Sequence, residues 1–144
     1  MVQGDEPMIF PEMIDESLAP IINNSSINVV NLLRTIDNTD DFNNSKEIRV
    51  VIDKELNALY FSREPISSSK KYSGNIPMYK QVCVIPFRRG FLDKFVKMPP
   101  TALEQIESID MLRILENGEK QKWFPLNIQL LPLILRRILH KLKY

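Results

Sequence analysis

The stretch Met1-Val2-Gln3-Gly4-Asp5-Glu6-Pro7 decides how the rest of the chain is read. Apolar residues run into a glycine, then two adjacent carboxylates, then a proline that stops regular pairing. A buried strand ends this way when its C-terminal edge carries chemistry. Gly4 permits a backbone turn or a close approach that a side chain would forbid. Asp5 and Glu6 then fall where open α/β sheets bind ligands, just outside the carboxyl ends of the strands. Paired carboxylates there are hard oxygen ligands, suited to magnesium and a nucleotide phosphate. An acidic turn that merely closes a strand is the other reading of the same residues.

Working outward, the 144 residues are one domain's length, enough to bury a sizeable core. Lysine plus arginine (19) nearly balance aspartate plus glutamate (18), so composition gives no push toward nucleic acid or a membrane. A single cysteine, Cys83, rules out an internal disulfide framework and fits a reducing compartment. One histidine, His140, leaves no His/Cys metal cluster and no other Cys-His dyad to build on. The start is acidic and has no apolar stretch of signal length, which predicts a cytoplasmic protein. Ten prolines against four glycines point to firm turns, and there is no internal repeat.

Pro11 to Leu18 reads as a helix, with proline in the first turn, acids near the N-terminus, and Met13, Ile14 and Leu18 on one face. Pro20 and residues 23–26 are expected to end it. Ile27 to Leu33 is ambiguous by periodicity, and Val29-Val30 favour strand. Residues 37–45 form a polar loop. Glu47–Asp53 and Ala58–Ser62 are strands joined by a turn, a hairpin. Residues 67–74 are a hydrophilic loop, and Tyr79–Phe87 is the next strand. A short helix, Phe91–Val96, precedes Pro99-Pro100 and what should be the longest helix, opened by the capping box Thr101-Ala102-Leu103-Glu104 and closed by Asn117-Gly118. Glu119–Phe124 follows as a strand. Strands and helices mixed this way, with a crossover helix, indicate an α/β fold.

Three segments carry a family resemblance: residues 2–7, Ala58-Leu59-Tyr60-Phe61-Ser62-Arg63-Glu64-Pro65-Ile66, and Leu103-Glu104-Gln105-Ile106-Glu107. In this order and spacing they resemble the 3-deoxy-manno-octulosonate cytidylyltransferases, the CMP-Kdo synthetases of lipopolysaccharide assembly, over about residues 1–123. The resemblance implies a Rossmann-like α/β nucleotidyltransferase with a mostly parallel sheet between helices, commonly a homodimer. It implies transfer of CMP from CTP to an eight-carbon sugar acid with release of pyrophosphate. Such chemistry needs charge neutralisation and positioning more than covalent catalysis. Carried over by position, Asp5 would be a catalytic magnesium ligand and Gln3 would lie near the sugar acid. Arg63 would pair with the sugar carboxylate, a task suited to a planar bidentate donor. Glu104 and Gln105 would hold sugar hydroxyls. Arg63 as an exposed strand-end cation, and Glu104 as a capping residue only, stay open beside these roles.

Three departures shape the expectation. The family's Tyr-Arg-His stretch, with a tyrosine four residues after the histidine, reads here Tyr79-Lys80-Gln81-Val82-Cys83-Val84-Ile85. Gln81 can still hydrogen-bond a sugar; Ile85 cannot, so the expected acceptor is a sugar acid related to Kdo. The family's N-terminal loop for the CTP phosphates has no counterpart in these residues, which predicts weak CTP binding and an inactive fragment. Residues 125–144, apolar and basic without Asp or Glu, replace the family's Val-Asp-Thr turn. This tail reads as the family C-terminus in a shifted frame, or else as an amphipathic cationic helix; it is set apart from a partial cytidylyltransferase domain at 1–124. The competing functional reading is a non-catalytic sugar-binding or dimerisation module that works with a full-length or separately encoded partner.

Overall fold

The computed structural model describes residue 1 and residues 9–37, 39–68 and 77–127. Along this chain lie α1 (Pro11–Asn23), β1 (Val30–Thr35), α2 (Thr39–Asn43), β2 (Arg49–Ile52), β3 (Ala58–Ser62), β4 (Tyr79–Val82), α3 (Arg89–Phe95), α4 (Ala102–Glu107), α5 (Leu112–Glu116) and β5 (Lys122–Pro125). The strands form one sheet in the order β3-β2-β4-β1-β5.

The first four residues of β1 are all buried, and their side chains alternate between two faces on which the helices are sorted. Leu32 packs with Phe10, Met13, Val82 and Val84 on the α1 side. Leu33, its neighbour, packs on the other side with Phe91, Phe95, Leu112 and Trp123, from α3, α5 and β5. Successive strand side chains point to opposite faces, so one apolar run serves both cores. The sheet also rolls until its edges meet. Asn57 bridges Lys122, and the Trp123 N–H donates to the Leu56 carbonyl at 2.8 Å. The Phe61 and Trp123 rings, 5.5 Å apart and tilted by 45°, fill the space enclosed.

The α/β class, the hairpin and the sheet between helices hold. The expected mostly parallel sheet does not: β1 runs parallel to β5, whereas β1–β4, β2–β3 and β2–β4 are antiparallel. Only the β1–β5 link is a crossover between like-directed strands. The hairpin enters the sheet as a pair, so its strands must oppose each other.

Other boundaries shift for local reasons. α1 passes through Pro20, which surrenders one helical N–H, because Ile21 is drawn into a cluster with Ile27 and Val30. The polar loop at 37–45 contains α2, pinned by buried Phe42. β4 stops at Val82, where Val84 N–H turns back to the Val82 carbonyl at 2.7 Å; Phe87 keeps only an isolated bridge to Val29. The helix expected from 101 to 117 is two short helices, broken at Ser108 in the left-handed region (φ 53°). α1 is the longest helix among the described residues. No helix among them is long and apolar enough to cross a membrane. Gln3, Asp5, the segment 69–74 and the tail from 128 onward lie outside the described residues.

Candidate functional site

β3 ends by delivering Arg63 against the end of α4, and one carboxylate arranges the meeting. Tyr60 and Ser62, two residues apart and so on one face of β3, donate their hydroxyls to Glu107 Oε1 at 3.0 and 2.8 Å. The Arg63 N–H donates to Glu107 Oε2 at 2.9 Å. Burial by itself would raise the Glu107 pKa, but these hydrogen bonds outweigh it and hold the carboxyl below its ordinary range. The Arg63 side chain then lies along the C-terminal carbonyls of α4. Nε donates to Glu107 O at 3.0 Å and Nη2 to Ser108 O at 3.3 Å, while Nη1 reaches Lys46 O at 3.5 Å. The two terminal contacts are long beside the ~2.7–2.9 Å of a charge-assisted pair. A carboxylate brought to this half-buried guanidinium competes with them on favourable terms.

Beneath Arg63 lies a second arginine that the sequence did not single out. Arg49 is fully buried and forms no ion pair among the described residues; its guanidinium donates to the carbonyls of Asp41, Phe42, Asn44, Glu47 and Arg63. Three of these, from Asp41 to Asn44, are at the C-terminal end of α2, the negative end of its dipole. Arg49 thereby ties α2, β2 and the end of β3 together, and fixes the backbone that carries Arg63. Its neighbour across the ladder, Lys80, pairs with Glu47 at 3.0 Å.

The remaining sequence candidates divide. Gln81 follows Lys80 on β4 and is buried, and its Oε1 has no partner among the described residues. An orphaned buried acceptor costs ~1–3 kcal/mol, so a donor from water or ligand is favoured there. The β3-β2-β4 order sets Arg63 and Gln81 about two strand spacings apart, roughly 10 Å. Glu104 is otherwise committed. Both its oxygens meet the Arg113 guanidinium, Nε at 2.8 Å and Nη2 closer still, and Oε2 also accepts the Thr101 N–H at 3.1 Å. Arg113 first of all, then the Thr101 N–H, hold its pKa low against burial. The geometry thus gives Glu104 its capping task and a fixed ion pair. Gln105 is exposed on α4.

Asp110, in the turn from α4 to α5, is exposed as a residue, yet crowding about its carboxyl pushes its pKa up, with Glu104 adding repulsion.

Among the described residues no group of three or more His, Cys, Asp or Glu side chains could hold a metal ion. Asp5 and Glu6, of the right chemical type for magnesium, lie outside the described residues.

The model of the family described as cytidylyltransferase matches residues 1–121. The chain belongs to the cytidylyltransferase family. It is 43% identical over 127 residues to the 3-deoxy-manno-octulosonate cytidylyltransferase of Geobacter sulfurreducens, covering 81% of this chain and 51% of that protein. The enzyme of the same name from Fusobacterium nucleatum is 38% identical over 121 residues, 84% of this chain and 49% of its own length. A solved CMP:2-keto-3-deoxy-manno-octonic acid synthetase in complex with CTP superposes with a TM-score of 0.79 at 29% identity, covering 87% of this chain and 51% of that one. The fold is therefore that of a nucleotidyltransferase. The chain spans about half the length of the family relatives it matches.

Proposed function

We propose that this chain is the sugar-acid-binding part of a cytoplasmic enzyme that transfers CMP from CTP to a Kdo-like eight-carbon sugar acid, releasing pyrophosphate, for surface glycan synthesis such as that of lipopolysaccharide. The observation that carries the reading is Arg63, held at the end of β3 by Glu107 and Arg49 with its terminal nitrogens on long carbonyl contacts. A rigid fork with spare donor capacity is the recognition element that a sugar carboxylate requires. Gln81 lies within the same region, and its buried Oε1 has no partner among the described residues. Magnesium belongs to this reaction in our reading, because joining a triphosphate to a hydroxyl needs its charge neutralised. Asp5 is the residue nominated to hold it, Gln3 stands beside the sugar acid, and the working form is a homodimer.

A second reading is a non-catalytic sugar-binding or dimerisation module acting with a separately encoded or full-length partner. The two readings part on turnover. Calorimetric titration with Kdo should show saturable binding to the purified chain, weakened about tenfold or more by Arg63→Lys, which removes the fork but keeps the charge. Identical binding by the two proteins would remove Arg63 from the site. With CTP and Kdo together the chain alone should release no pyrophosphate. Turnover would make it a complete transferase and refute the module reading.

A further inference from the structure

Two apolar rows flank an open groove between α1 and α3. Ile14, Leu18 and Ile22 recur every four residues along α1, and Leu92 and Val96 do so at the end of α3. Val84, Phe87 and Phe95 line the space between them. Ser17 is the polar side chain of the lining, and its hydroxyl is spent on the Ile14 carbonyl at 2.7 Å. The groove thus offers apolar surface without a polar handle, and Ile14, Ile22, Leu92 and Val96 stay exposed along it. Such a groove suits the apolar face of an amphipathic helix.

The sequence beyond the described residues supplies that pattern. In 133–144, Ile134, Leu135, Ile138, Leu139 and Leu142 fall on one side at helical spacing, and Arg136, Arg137, His140, Lys141 and Lys143 on the other. Pro132 precedes the pattern, where a helix start accepts proline. The charges match as well. α1 carries Glu12, Asp15 and Glu16 and no Lys, Arg or His, whereas residues 128–144 contain no Asp or Glu. Glu12 and Asp15 are exposed on the outer side of α1.

The approach to the groove decides whose segment enters it. Asn127 is held on α1, its N–H and Nδ2 donating to Glu16 Oε1 at 2.7 and 2.8 Å. Glu16 is two residues from both Ile14 and Leu18, which puts it about 160–200° around the helix from the groove. Half a turn around the outside of a helix ~10–12 Å across takes about 16–19 Å of chain at its surface. Residues 128–132 span about 17 Å when fully extended. A segment leaving from the wrong flank on so short a tether enters its own groove only under strain, and a strained hinge favours exchange between copies.

We propose that residues 133–144 of one copy dock as an amphipathic helix in the α1–α3 groove of a second copy, and reciprocally, closing a two-fold dimer. The apolar face of the segment covers Ile14, Leu18, Leu92 and Val96, and its cations lie over the acids of α1. This interface shares no residue with the proposed sugar-acid site and does not depend on the transferase reading.

Two variants of the full chain test the exchange by sedimentation. Leu92→Lys spoils the groove and keeps the segment; Ile138→Glu with Leu142→Glu spoils the segment and keeps the groove. Each alone should dimerise about a hundredfold more weakly than the wild type. Their equimolar mixture holds one intact segment and one intact groove. It should regain dimers more weakly than the wild type, yet at least about tenfold more tightly than either variant. Wild-type dimers should also weaken as salt rises from about 0.05 to 0.5 M, which screens the cations from α1. A segment variant as dimeric as the wild type would mean that groove pairs with groove, and a mixture that stays monomeric would deny the docking; either overturns the proposal. So does a wild type that is monomeric up to about 1 mM. Binding of an apolar dye by the segment variant alone would then place the segment in its own groove.

Discussion

Glu107 has both carboxylate oxygens filled by β3, and in turn its own backbone carbonyl holds the Arg63 side chain. Its folded-state pKa lies below the ordinary value, so the stability it contributes is present above the unfolded pKa of about 4.3 and is lost as pH falls through the depressed folded value. Glu107→Gln keeps one acceptor but leaves the Arg63 N–H poorly paired. Urea denaturation at neutral pH should show a loss of about 1–3 kcal/mol, shrinking as the pH is taken below about 4 where the wild-type carboxyl is itself protonated. A loss independent of pH would show that the charge does not matter. The sequence displays Glu107 only as the end of a motif, because its partners lie 44 to 47 residues earlier. Arg49 is hidden for the same reason: it sits in an otherwise apolar strand, and its acceptors are carbonyls, which every residue has. Capping by Glu104 was legible because its partner Thr101 is three residues away; the Arg113 pair that fixes it, nine residues on, was not.

Among the elements, the break between α4 and α5 is the instructive one. A single amphipathic helix fits the spacing of Leu103, Ile106 and Ile109. In the fold Ile106 is 76% exposed, while Ile109, Met111, Leu112 and Ile114 are all buried. No one helical face holds that set. Ser108 at φ 53° reverses the chain, with Ile109 N–H bonding back to the Glu104 carbonyl at 3.1 Å, and the turn re-aims the buried residues at Phe61 and Trp123. The left-handed conformation costs a non-glycine residue about 1–2 kcal/mol, and glycine returns part of that gain through its freer unfolded state. Ser108→Gly should therefore raise stability by about 0.5–1 kcal/mol, read as a shift in the urea midpoint at constant slope. Since Arg63 uses the backbone carbonyl of Ser108, Kdo affinity should not change. Destabilisation would mean that the serine hydroxyl has a task that the turn geometry does not show.

At the scale of the whole molecule, the local signals of strand, turn and cap sufficed for the α/β class, but strand direction depends on which distant strands pair, and periodicity carries no such information. The same limit applies to surfaces. A largely apolar groove of about 460 Å³ runs between α1 and α3, lined by Met1, Ile14, Leu18, Val84, Leu92 and Phe95 among others. Its rim is open: Ile14 is 37% and Leu92 40% exposed, and Val96 one turn on from Leu92 is 64% exposed. Contiguous apolar surface of this kind is uncommon on monomers and drives association when nothing covers it. Met1 runs beside Ile85 at one wall, with Ile85 N–H donating to the Met1 carbonyl at 2.9 Å. The purified chain should therefore bind an apolar dye and sediment as concentration-dependent oligomers. Leu92→Lys places a charge at the mouth of the groove on a side chain already 40% exposed, and should restore monomers and reduce dye binding while the melting transition stays in place. Lys120→Glu, an exposed position outside the groove lining, serves as the control: it changes surface charge by more than Leu92→Lys does, in the opposite sense, but touches no apolar wall. If both variants restored the monomer alike, association would be electrostatic and the groove irrelevant; if the wild type were already a monodisperse monomer that ignores the dye, the groove would be too shallow to matter.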